Sequence, residues 1–248
     1  MPHFFINSSA LNDNKIRISD KENYIHIAKS LRARAGEKLL LIDENQIQYE
    51  TTIENISSAE ILCHVEKSYK SERDLKFNLY LAQSPLRSDA QSFVIEKATE
   101  LGVRSVIPIL TDNCALNKDV VQKKLERWNR IMYEASKQCE RALVPFCEKP
   151  SSLETLCKSK RFDKIIAFCE RRTQKTLREY FLESPLKRGE NVLVIIGPEG
   201  GFSDSEFDFF EKSAIPMLTL GDLILKAETA VTVALGNIVY EFENFGKN

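Results

Sequence analysis

The sequence predicts an α/β protein in two parts, a short all-β segment over residues 1 to about 70 and a parallel-sheet domain from about 75 to 248. Three observations carry this reading. Short β-rich runs separated by turn residues crowd the first part, while apolar strands alternate with amphipathic helices in the second. Two glycine-bearing segments, Gly197 to Ser203 and Gly221 to Ala230, each lie between a strand and a helix.

In the first part, Phe4 to Ile6, Lys38 to Ile42, Ile47 to Ile53 and Glu60 to Val65 are rich in β-formers. Asp43-Glu44-Asn45-Gln46 suits a hairpin connection between two of them. A short helix is expected over Lys21 to Arg34, ended by Gly36. These elements resemble a small barrel, and the charged stretch Glu66 to Lys76 reads as a linker.

The pattern changes at Phe77. Phe77 to Gln83 is an apolar strand, and Ser88-Asp-Ala-Gln91 has the form of a capping box opening a helix through Leu101, stopped by Gly102. Ser105 to Leu110 is the next strand. Val120 to Leu143 reads as a long amphipathic helix, because Val121, Leu125, Trp128, Met132, Ala135 and Cys139 recur at spacings of three and four. Lys123, Arg127, Arg130, Lys137 and Arg141 follow the same period on the opposite face. Asp163 to Phe168, Asn191 to Ile196 and Met217 to Leu220 are buried-type strands, with helices expected over Thr173 to Leu182, Asp204 to Lys212 and Glu228 to Phe242. Strands separated by helices predict parallel pairing.

Bulk properties narrow the functional class. Over 248 residues, 43% are hydrophobic and 29% charged, which fits a folded rather than a disordered chain. No apolar run approaches the roughly 18 residues of a membrane span, and the start lacks a basic region followed by a long apolar stretch. Six scattered cysteines without a C-x-x-C pair read as free thiols in a reducing compartment, so a cytoplasmic location is expected. A net charge of −1 argues against indiscriminate nucleic-acid binding. Basic excesses between Lys15 and Lys38 and between Lys118 and Arg141 are compatible with a local nucleic-acid footprint or with a solvated surface.

The chemistry-bearing segments follow strands. Ile195-Ile196-Gly197-Pro198-Glu199-Gly200-Gly201-Phe202-Ser203 turns through three glycines into a helix with Ser203 as its cap and Glu206 completing a capping box. It is either a tight strand-to-helix turn or a loop that lets a ligand approach the backbone at the carboxyl edge of the sheet. Leu220-Gly221-Asp222-Leu223-Ile224-Leu225-Lys226-Ala227-Glu228-Thr229-Ala230 places an apolar run inside a connection, where it either plugs the local core or covers an apolar ligand. There is no G-x-G-x-x-G and no phosphate-binding G-x-x-x-x-G-K-[ST]. The histidines, His3, His26 and His64, all precede the α/β part, so Ser–His or Cys–His catalysis there is excluded, and no spaced zinc motif occurs. Carboxylates, lysine or arginine, and backbone groups remain.

Six strings in order carry a resemblance. They are His26-(x4)-Leu31-Arg32, Glu96 to Val103, Arg127-Trp128, Glu134-Ala135-(x2)-Gln138-(x2)-Arg141, Gly197 to Ser203, and Leu220-Gly221-(x2)-Ile224 to Ala230. Spread over nearly the whole chain, they resemble the bacterial 16S ribosomal RNA uridine-N3 methyltransferases, a branch of the SPOUT class. The resemblance implies a PUA-like β-barrel for RNA over residues 1–70 and a methyltransferase domain with a deep trefoil knot over 75–248. It also implies a homodimer, S-adenosyl-L-methionine as cofactor and 16S rRNA of the small ribosomal subunit as partner. On that basis Ile196, Gly197, Gly201, Leu220, Gly221, Ile224 and Leu225 are the expected cofactor residues, and Arg32, Arg34, Arg127, Arg130 and Arg141 the expected RNA-binding residues. Lys226 would stabilise charge on the uracil, and Glu199 or Glu228 would take the N3 proton or orient water, or else cap a loop. No metal is expected. Three positions depart from the family pattern: Lys226, His3 and Asn113 stand where arginine is usual. Two other functions stay open, a related knotted methyltransferase acting on another rRNA or tRNA site, and a non-catalytic RNA-binding factor.

Overall fold

A computed structural model describes residues 1–170 and 172–245. The chain divides into two units, Met1–Asp74 with Ser136–Leu143, and Leu75–Ala135 with Val144–Asn248. The first unit contains β1 (His3–Phe5), β2 (Leu11–Asn12), β3 (Lys15–Ile18), α1 (Lys21–Tyr24), β4 (Lys38–Ile42), β5 (Ile47–Ile56) and β6 (Ile61–Lys70). Its six strands form one sheet in the order β1-β4-β5-β6-β3-β2, antiparallel except for the parallel β1–β4 pair. Phe4, Ile16, Ile18, Ile27, Leu39, Leu41, Ile53 and Ile61 build its core.

Two expectations for this unit need correction, and one hairpin was not anticipated. The stretch read as a linker from Glu66 is strand as far as Lys70, because β5 supplies ladder partners for Lys67 to Lys70 whatever their polarity, with Glu66 at a register shift. The short β2–β3 hairpin also escaped the sequence reading: β3 has a buried residue at each second position but is four residues long. The helix expected over Lys21 to Arg34 is one turn of α-helix capped by Asp20, followed by π-helix over Ile25–Ser30. Arg32 then takes a left-handed φ of 54°, which breaks the helical run before Gly36.

The second unit contains β7 (Asn78–Gln83), α2 (Ser88–Glu100), β8 (Val103–Pro108), α3 (Lys118–Gln138, its last three residues counting with the first unit), β9 (Phe146–Cys147), α4 (Leu153–Cys157), β10 (Lys164–Phe168), α5 (Leu177–Glu183), β11 (Asn191–Ile196), α6 (Asp204–Lys212), β12 (Met217–Leu218) and α7 (Ala227–Phe245). The sheet order is β12-β10-β11-β7-β8-β9, and every pair is parallel. Strand alternation distributes the core over both faces: Val192, Val194 and Ile196 join the cluster with α2, α3 and α7, while Leu193 and Ile195 join the one with α4 and α6.

Helix starts follow their local chemistry unevenly. Ser203 and Glu206 form the expected reciprocal capping box at α6. At α2 Arg87, not Ser88, holds the cap position, and Gln91 Oε1 accepts the N–H of Leu86 at 2.7 Å. The long helix α3 ends at Gln138, five residues before the expected stop, so Arg141 lies beyond it.

Candidate active site

Parallel strands bring all their carboxyl ends to one edge of the sheet, the edge where open α/β folds receive ligands. The loops that leave β7, β8, β10, β11 and β12 therefore gather there. Ile196 ends β11 at 3% exposure, and Gly197 after it is buried. A Cβ on Gly197 would stand 3.2 Å from the ring of Phe202, which packs edge-on against Phe210 with centroids 5.0 Å apart. Gly197 thus makes room for an aromatic of its own loop. Gly201 is different: its φ is 71°, its N–H returns to Pro198 O at 2.9 Å, and nothing lies within 4 Å of where a Cβ would be. Exposed Glu199 accepts the N–H of Arg87, from the loop after β7, at 3.4 Å.

The second loop follows β12. Thr219 N–H donates to Lys175 O at 2.9 Å, and Thr219 Oγ1 accepts the Gly221 N–H at 3.1 Å. Leu225 N–H donates to Glu170 Oε1 at 3.1 Å, which ties the loop to the end of β10. The apolar run then divides. Leu220 and Leu225 pack against the core beneath α7, whereas Leu223 and Ile224 are 79% and 57% exposed. Two residues plug the core and two stand uncovered. Lys226 is exposed at the start of α7 and Glu228 is half-buried in its first turn. An uncovered apolar pair on one loop and free space at a glycine turn on another, at the same sheet edge, fit an amphipathic, ring-bearing ligand such as S-adenosyl-L-methionine.

Several side-chain partnerships at this edge were not legible in the sequence. Asp112 accepts hydrogen bonds from Ser203 Oγ at 2.5 Å and Ser205 Oγ at 2.9 Å, and these donors hold its carboxyl below the usual carboxylate range. Asn113 Nδ2 donates to Gly200 O and Gly201 O. Arg172 pairs with Asp204 and lies 4.5 Å over the ring of Phe207. The available signal was positional, since Asp112, Asn113, Glu170 and Arg172 all follow strand ends.

Of the expected RNA-facing cations, Arg32 and Arg34 are exposed in the first unit and Arg127 and Arg130 are exposed on α3. Arg141 is not on the surface. It is 5% exposed, and its Nη2 donates to both carboxylate oxygens of Asp74 at 3.2 Å. Among the described residues, no group of three or more His, Cys, Asp or Glu side chains is placed to hold a metal ion, and no helix is long and apolar enough to cross a membrane.

Fold and loops define a class, the RNA methyltransferases, whose domain profile matches residues 73–239. Residues 18–66 match the RNA methyltransferase PUA domain. The chain is 28% identical over 227 residues to the ribosomal RNA small subunit methyltransferase E of Bacillus subtilis (strain 168), covering 90% of this chain and 89% of the relative. It is 30% identical over 211 residues to the protein of the same name from Mesomycoplasma hyopneumoniae (strain 232), covering 84% and 87%. A Legionella pneumophila methyltransferase solved in complex with bound SAM matches the fold with a TM-score of 0.82 at 25% identity, over 96% of each chain. The chain belongs to the ribosomal RNA small subunit methyltransferase E family.

Proposed function

We propose that the protein transfers the methyl group of S-adenosyl-L-methionine to N3 of a specific uridine in 16S rRNA of the small ribosomal subunit. The observation that carries this reading is the pair of loops at one sheet edge: a glycine turn with open space at Gly201 and an apolar loop with Leu223 and Ile224 uncovered. The names of the bacterial relatives and the SAM bound in the Legionella protein support the substrate class and the cofactor. The choice of N3 rests on the six strings of the family resemblance.

In this reading Ile196, Gly197, Gly201, Leu220, Gly221, Ile224 and Leu225 hold the cofactor. When bound, S-adenosyl-L-methionine supplies an electrophilic methyl group on a positively charged sulfur. Uracil N3 carries a proton at neutral pH, and its loss leaves negative charge on the flanking oxygens. Exposed Lys226 stabilises that charge. Glu199 and Glu228 are the candidates to take the proton or orient water. Glu199 also accepts the Arg87 N–H, which fixes its loop against the one after β7. Arg32, Arg34, Arg127 and Arg130 grip phosphates.

The same reading assigns residues 1–70 to a PUA-like barrel and 75–248 to a knotted methyltransferase domain acting as a cytoplasmic homodimer. Support for the knot is the double tie of residues 219–225 to the segment after β10, through Lys175 and Glu170. Purified protein, tritiated S-adenosyl-L-methionine and small subunits lacking the modification test the whole reading. Label on N3 of one 16S uridine is the expected result. Label on another nucleoside moves the target, and failure to bind the cofactor overturns the enzyme assignment.

A further inference from the structure

The loop after β8 does more than connect β8 to α3. Its residues Asp112 and Asn113 meet the glycine turn after β11 at three points and the first turn of α6 at two more. Ser203 and Ser205 donate to the Asp112 carboxylate, Asp112 N–H donates to Glu206 Oε1 at 3.1 Å, and Asn113 Nδ2 donates to the carbonyls of Gly200 and Gly201 at 3.3 and 3.1 Å. The approach is close. A Cβ on Gly200 would stand 3.1 Å from the Asn113 Cβ, although Gly200 has no left-handed φ that would itself demand glycine. A side chain at 200 would press on Asn113, which would have to give way for it.

We propose that Asp112 and Asn113 are positioning residues that clamp the Gly197–Ser203 turn in its ligand-receiving form before the cofactor arrives. This rests on the reading that the turn holds S-adenosyl-L-methionine. The carbonyls of Gly200 and Gly201 point at one side-chain amide, so the peptide planes of the turn are fixed from outside it. Asp112 fixes the other end by holding the two serines at the start of α6. A turn with three glycines otherwise has wide conformational freedom, and binding would have to restrict it. The clamp removes that cost beforehand.

The test is isothermal titration of S-adenosyl-L-methionine into the full-length protein, with methyl transfer measured at saturating cofactor. Asn113→Gly and Asp112→Ala are expected to weaken cofactor binding about tenfold and to leave kcat within about twofold, since binding alone pays the ordering cost. Asp112→Asn, which keeps an acceptor for a serine hydroxyl, is expected to recover most of the affinity. Gly200→Ala should weaken binding in the wild-type background and have little effect in Asn113→Gly, a coupling that a general loss of folding would not produce. Wild-type binding with unchanged affinity in Asn113→Gly and Asp112→Ala overturns the clamp and leaves the proposed function standing. No binding by the wild type removes both.

Discussion

Glu170 Oε1 accepts the backbone N–H of Leu225 at 3.1 Å, so one carboxylate at the end of β10 restrains a loop 55 residues further along the chain. Leu223 and Ile224 stand exposed just ahead of that bond. A hydrogen bond to a charged acceptor contributes about 1.5–3 kcal/mol. Glu170→Ala should therefore raise the KM for S-adenosyl-L-methionine roughly tenfold with a smaller change in kcat. Glu170→Gln should restore most of it. Steady-state kinetics with cofactor varied at fixed RNA decides the point, and an unchanged KM in Glu170→Ala rejects it.

Lys226 is proposed to act on the uracil rather than on the cofactor. Lys226→Ala should lower the single-turnover rate of methyl transfer by about a hundredfold, the usual cost of one donor to a developing anion, with cofactor affinity unchanged. Lys226→Arg keeps the charge and should retain most of the rate. Equal losses in both variants would assign the position to packing.

The exposed and buried arginines should separate cleanly. Arg127→Ala and Arg130→Ala should each reduce the salt dependence of RNA binding by about one unit of slope, without altering denaturation midpoints. Arg141→Ala removes one member of a buried ion pair with Asp74 and should destabilise the protein by about 3 kcal/mol. Filter binding over a salt series and urea denaturation provide the two readouts.

His3 sets a pH limit on the first unit. Both ring nitrogens are buried without a hydrogen-bond partner among the described residues, and the ring meets Phe5 edge-on at 5.0 Å. Burial lowers its pKa below 6.5; Glu140 opposes this, while Lys137 and Arg73 add to it. Above pH 6.5 the ring is neutral in folded and unfolded states alike, so its contribution is fully present there. As pH falls below that value the unfolded chain takes up the proton first, and stability is lost down to the folded pKa. Denaturation at about pH 7.5 and 5.5 should show a drop for the wild type that is smaller in His3→Phe.

Legibility followed the range of the interactions. Lys38–Ile42, Asn191–Ile196 and Asp204–Lys212 were readable residue for residue, because apolar runs and the Ser203–Glu206 box are local signals. The two-residue strands β2 and β9 carry no such signal, and the polar end of β6 is strand because of its partner. At the candidate site the glycine turn and the apolar loop announced themselves by composition. The bonds made by Asp112, Asn113 and Glu170 did not, since their partners lie 55 to 94 residues away. Arg141 misled for a related reason: helical periodicity placed it on a polar face, but the helix had already ended.

The pairing of β7 with β11 has a consequence for how the chain is made. Asn78 and Asn191 bond side chain to side chain across 113 residues, and β11 is the strand between β7 and β10. During synthesis from the N-terminus, β1 to β6 can complete their sheet among themselves, with the later Ser136–Leu143 segment joining afterwards. The second sheet has no such option. Until residue 196 emerges, β7 and β10 wait as separate apolar edges with their shared neighbour still unmade, the period when a nascent chain is most exposed to misassociation.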